Sequence, residues 1–95
     1  MKNFEEKLAE YRRSVDKLDA ILVYTLGERF KQTEKIGKLK AEARIQATDH
    51  KRELVQVERV RKLSEDANLD VDFAEKLLKF ITSEVVKNHN KIKSR

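Results

Sequence analysis

The sequence has no cysteine, no proline and only two glycines, Gly27 and Gly37. Without cysteine there is no disulfide and no thiolate metal site. With so few turn residues, a β-rich fold of this size is excluded. No apolar run approaches the roughly 20 residues that a membrane span needs. The start, Met1-Lys2-Asn3-Phe4-Glu5-Glu6, lacks the apolar segment and cleavage site of a signal peptide, and a cytoplasmic location is expected. Two histidines far apart in sequence, His50 and His89, make a weak metal signal, so neither metal nor cofactor is expected.

What is present is periodic and charged. Hydrophobic residues make up 39% and charged residues 41%, a mix that suits amphipathic helices with solvated outer faces and is too apolar for a disordered chain. At 95 residues the chain reads as a single domain, residues 1–95, too short to bury a large core without a partner. The formal net charge of +5 points to an anionic partner and does not separate nucleic acid from a small dianion.

In the first segment, residues 4–43, Leu8, Tyr11, Val15, Leu18 and Leu22 recur at spacings of three and four, and Ile36 and Leu39 continue the pattern. A glycine in a helix interior costs about 1 kcal/mol, so a break at Gly27 or Gly37 is open. One continuous helix is expected, because neither glycine sits among turn residues. A helix of about 40 residues spans about 60 Å. A compact domain of this length has a radius of gyration of only about 12–13 Å, so a second chain is expected to cover the apolar stripe. A homodimer follows as the expected assembly. Residues 44–48 read as a loop, with Thr48 or Asp49 capping a second helix that runs to residue 67 and buries Leu54, Val57, Val60 and Leu63. After a connector at 68–70, with Asp70 as N-cap, a third helix is expected over 71–92. Its stripe is Ala74, Leu78, Ile81, Val85 and Ile92, with Leu77 and Phe80 beside it. The fold class is therefore all-α, a three-helix protomer with a long first helix.

Several polar residues stand where the helical pattern would place apolar ones. Arg29 and Lys40, eleven residues apart, differ by only about 20° around a helix axis and about 16 Å along it. Two long cations at that spacing can grip a small anion; both can equally snorkel to solvent. Asp49, His50, Lys51, Arg52 and Glu53 open the second helix, and Asp49 and Glu53 share a face. Taken alone, that string is better accounted for by an ordinary capped helix start with surface ion pairs. His50 is expected to be solvated. His89 reads either as a hydrogen-bonded histidine at the core edge or as a donor to a ligand oxygen. Arg12 precedes Arg29 by seventeen residues, about 25 Å along one helix, so the two meet one small ligand only if Arg12 comes from a second, antiparallel copy.

Taken together, Arg12, Arg29, Lys40, Asp49, Arg52 and Glu53 resemble the active-site pattern of the all-helical (type II) chorismate mutases. The supporting strings are Leu18-Asp19, Glu28-Arg29, Ile36-Gly37-Lys38-Leu39-Lys40 and Asp49-His50-Lys51-Arg52-Glu53, within a match running from Leu8 to Ile92. The resemblance implies an intertwined homodimer with two equivalent sites and conversion of chorismate to prephenate. It also implies roles. Arg29 and a second copy's Arg12 bind the two carboxylates, Lys40 donates to the ether oxygen, Glu53 and Asp49 hold the ring hydroxyl, and Arg52 supports the carboxylate end. Family members often carry Ser and Gln where this chain has Val85 and His89, which leaves the second ether contact to His89. If His89 donates there as an imidazolium, activity is expected to fall as pH rises through its titration.

The chemistry matches what the sequence lacks. The rearrangement is unimolecular and pericyclic, so it calls for no nucleophile, metal or cofactor. Within the same fold, the alternative is an isochorismate pyruvate lyase, which uses a similar cationic pocket. From a different class comes a non-catalytic helical module whose Lys35, Lys38, Lys40, Arg44, Lys51 and Arg52 contact nucleic acid. Against it stand Asp49 and Glu53 inside the basic stretch and an aromatic content of only 6%; no nucleic-acid partner is expected.

Overall fold

The computed structural model describes residues 1 and 3–94; Lys2, within the start at residues 1–6, and Arg95 lie outside the described residues. Three helices and no strand occur among the described residues: α1 (Phe4–Glu42), α2 (His50–Asp66) and α3 (Val71–Lys93). The all-α reading is met, and α1 continues through both glycines. No helix among the described residues is long and apolar enough to cross a membrane.

Local chemistry sets each boundary. At the start of α1, the Asn3 carboxamide oxygen accepts from the Glu6 N–H at 2.9 Å, satisfying one of the free amides of the first turn. Its end is a Schellman closure: Ile45 N–H donates to the Lys40 carbonyl at 2.8 Å and Arg44 N–H to that of Ala41 at 3.2 Å. The closure puts Arg44 in the left-handed region, at φ 56°, where an L side chain is strained. Helix α2 is capped by Asp49, whose Oδ1 accepts from Arg52 N–H at 3.0 Å. It closes in the same manner as α1, with Asn68 at φ 55° and Leu69 N–H donating to the Ser64 carbonyl at 2.9 Å. Asp70 then caps α3, accepting from Phe73 N–H at 2.9 Å.

The chain divides into two compact units, residues 1–32 and 33–95. In the first, the expected apolar stripe is present and largely uncovered: Tyr11 is 70% exposed and Leu18 62%, and Val15 and Leu22 are also exposed. Burying one such side chain contributes about 1.5–3 kcal/mol, so the stripe is a large unclaimed source of association energy.

In the second unit α2 and α3 pack against each other. Ala74 and Leu78 of α3 are buried, and Ile81, Val85 and Ile92 are half-buried, as the stripe of α3 requires. The face of α2 departs from expectation. Val57 and Val60 are half-buried, but Leu54 and Leu63 are exposed, and the buried residue is Ser64. The inward stripe is Glu53, Gln56, Val57, Val60 and Ser64, so the two leucines lie on its flanks. A small Ser64 permits close helix approach, and its hydroxyl is satisfied by donating to the Val60 carbonyl at 2.7 Å. Near the connector, Arg61 bridges the two helices, with Nη1 3.1 Å from Glu75 Oε1 and 3.5 Å from Asp72 Oδ1.

Candidate active site

The expected site residues fall in both units. Arg12 and Arg29 belong to residues 1–32, on one helix. Seventeen positions separate them, and a single copy cannot bring both to one small ligand. Arg12 is exposed. Arg29 is half-buried, and its Nη1 is sealed from solvent without a hydrogen-bond partner among the described residues. A guanidinium donor in that condition forfeits its water and gains nothing in exchange.

Lys40, Asp49, Arg52, Glu53, Val85 and His89 belong to residues 33–95. Lys40 sits in the last turn of α1, where a cation also complements the helix dipole. It is half-buried, and Nζ reaches back over the loop to the Ala47 carbonyl at 3.4 Å, a long hydrogen bond. Asp49 spends Oδ1 on the α2 cap, as the simpler reading of that string required, and Arg52 is exposed. Glu53 is half-buried in the first turn of α2, with Oε2 3.5 Å from Nδ1 of the exposed His50.

A groove of about 600 Å³ opens between the start of α2 and the middle of α3, with Glu53, Val57, Leu78, Thr82 and Val86 among its lining residues. It is large enough for a small organic ligand. Of the expected site residues in this unit, Glu53 lines it, while Lys40, Asp49, Arg52, Val85 and His89 do not. Thr48, which the sequence offers only as a possible helix cap, also lines it, as do Thr82 and Val86, which carry no sequence signal because they read as ordinary helix positions.

His89 is the most deeply placed of the set, 5% exposed although polar. Its Nε2 lies 2.7 Å from the Thr33 carbonyl oxygen. A carbonyl only accepts, so Nε2 carries the proton and donates. The other ring nitrogen, Nδ1, is buried without a partner among the described residues. The ring rests on Gly37, itself buried in α1: a Cβ built there would come within 2.5 Å of His89 Cδ2 and 3.0 Å of Nε2. Both readings of His89 thus keep a foothold, one nitrogen serving the core edge and the other unassigned.

Comparison with known proteins agrees with this architecture. The family model for chorismate mutase type II matches residues 11–90. A chorismate mutase of Methanocaldococcus jannaschii is 29% identical over 86 residues, covering 90% of this chain and 82% of that protein. With four-fifths of its length matched, the chain belongs to the type II chorismate mutase family of isomerases.

Proposed function

We propose that the chain converts chorismate to prephenate as a homodimer, binding the substrate through cationic side chains and stabilising the charge that grows on its ether oxygen. Two tasks suffice for this reaction. The flexible dianion must be held in its compact reactive shape, and freezing that geometry contributes several kcal/mol. Arg29 and Arg12 of a second copy suit the task, because guanidinium meets carboxylate in a bidentate fork. Negative charge then develops on the ether oxygen as its bond to carbon lengthens. A fixed cation at that atom favours the transition state over the ground state. Lys40 is assigned there, with His89 as the second contact beside Val85. Glu53 and Asp49 hold the ring hydroxyl, and Arg52 supports the carboxylate end.

The observation that carries the reading is Arg29 Nη1, a charged donor out of solvent with no partner among the described residues. A ligand carboxylate supplies the acceptor it lacks. The exposed stripe of Tyr11, Val15, Leu18 and Leu22 supports the second copy that the Arg12 role requires. The test is an absorbance assay of chorismate consumption by the purified protein, with Arg29→Ala as control. Loss of chorismate with prephenate formed, and a large drop in the variant, is the expected result. No consumption, or a variant as fast as the parent, overturns it. Pyruvate released from isochorismate at a comparable rate would make the chain a lyase instead.

A further inference from the structure

Gly37 lies inside a helix, where glycine is the poorest choice after proline, and is nevertheless buried. It needs no special backbone angle, because it has no positive φ. What it provides is room. The His89 imidazole occupies the space of the missing side chain, with Cδ2, Nε2 and Cγ at 2.5, 3.0 and 3.2 Å from where a Cβ would stand. One turn earlier on the same helix, the Thr33 carbonyl oxygen accepts a hydrogen bond from Nε2–H at 2.7 Å. The ring cannot swing away cheaply, since it is buried and tethered at one nitrogen.

We propose that Gly37 is a positioning residue for His89: with the Thr33 carbonyl it forms a seat that fixes the ring as the Nε2–H tautomer and leaves Nδ1 as the atom His89 offers to a bound ligand. The seat has a chemical consequence. Nδ1 of the neutral ring carries a lone pair and accepts from a ligand hydroxyl. It donates to a ligand oxygen only when the ring holds a second proton. Nε2 is spoken for in either case, so His89 cannot imitate a side-chain amide by turning over. The part of this assignment that concerns the ligand rests on the mutase reading; the seat itself does not.

Two measurements separate those parts. Imidazole ¹⁵N spectra of the free protein, recorded with the ring neutral, should show His89 Nε2 protonated and Nδ1 bare. Added prephenate should shift Nδ1, which either accepts from a ligand hydroxyl or takes up a second proton to donate to a ligand oxygen, and should leave Nε2–H in place. The reverse tautomer, or an Nδ1 that does not respond to prephenate bound at saturation, overturns the assignment. Thermal unfolding is then compared for Gly37→Ala, His89→Ala and the double variant. Gly37→Ala should lower the melting temperature and abolish the Nε2–H signature, whereas in the His89→Ala background the same change should leave the melting temperature level or raised. An equal loss in both backgrounds, or failure of both Gly37→Ala proteins to fold, shows that the glycine makes room for something other than the imidazole and sinks the proposal. A protein that shows the seat but does not consume chorismate refutes the mutase reading alone.

Discussion

Gly27 and Gly37 stand ten residues apart in one helix, and their surroundings have nothing in common. A Cβ at Gly27 meets nothing within 4 Å, whereas one at Gly37 collides with an imidazole. The contrast extends to the units that hold them. Residues 33–95 bury Ala74, Leu78 and a hydrogen-bonded histidine, and join α2 to α3 through Arg61. Residues 1–32 present an apolar stripe with little of it covered. One unit packs part of its apolar side chains within itself; the other leaves most of its stripe exposed.

The largest effect belongs to the self-sufficient unit. Lys40→Ala should lower kcat by about 10²-fold or more, the scale of losing one oxyanion donor. Because the Lys40 hydrogen bond to Ala47 is long and half-exposed, the melting temperature should change little. A near-normal kcat removes Lys40 from the ether oxygen. The next effect tests dependence on a second copy. Arg12→Ala and Arg29→Ala proteins should each be nearly inactive. After mixing and exchange, half the dimers are mixed and each has one intact site, so about a quarter of parental activity should return. No recovery removes Arg12 from the site that Arg29 of the other copy completes.

Asp49 offers a test of whether one residue serves both a helix and a ligand. Its Oδ1 caps α2, so Asp49→Ala should cost about 1 kcal/mol in urea unfolding. Asp49→Asn keeps a capping oxygen and should restore that stability. If Asp49 also holds the substrate hydroxyl, the asparagine variant remains slow although stable; full activity in it reduces Asp49 to a cap.

The division between the two units also marks what could be read in the sequence. Periodicity in Leu8, Tyr11, Val15 and Leu18, the caps Asp49 and Asp70, and the missing prolines were enough for three helices and their ends, because those signals are local. The inner face of α2 is not legible in the sequence, which favours Leu54 and Leu63 over Ser64, because hydrophobicity ranks a leucine above a serine while packing asks which side chain permits close approach. The cationic residues were legible as a pattern and Gly37 was legible as a cost. Its cause was not, since Thr33, Gly37 and His89 meet only after α3 is folded, across more than fifty residues of sequence. Nothing local marks Arg44 as a left-handed residue either; Arg44→Gly should stabilise the protein by about 1 kcal/mol.

Gly27→Ala sharpens the comparison of the two glycines. With open space around it, the substitution should stabilise by about 0.5–1 kcal/mol through helix propensity. A loss instead means that a second copy fills the space a methyl would take, and the loss should then grow with protein concentration.

The smallest effect contrasts two glutamates. Glu28 pairs with Lys31 within one helix turn, and both are about 70% exposed, so this pair should be worth nearly nothing. Glu75 accepts from Lys79 at 3.1 Å and, across the helix pair, from Arg61 at 3.1 Å. These two cations, Lys79 foremost and then Arg61, hold its carboxyl below the ordinary glutamate value of 4.5. A carboxyl with a lowered folded-state pKa stabilises the fold above its unfolded value, and that contribution fades as pH falls through the folded one. Glu75→Gln should therefore be less stable than the parent at neutral pH, by a small margin because the site is solvated, and the two should converge on acidification. Glu28→Gln should match the parent at every pH. If Glu28→Gln and Glu75→Gln behave alike, the link between α2 and α3 adds nothing beyond what a pair within one helix provides, and the distinction between the two units rests on apolar packing alone.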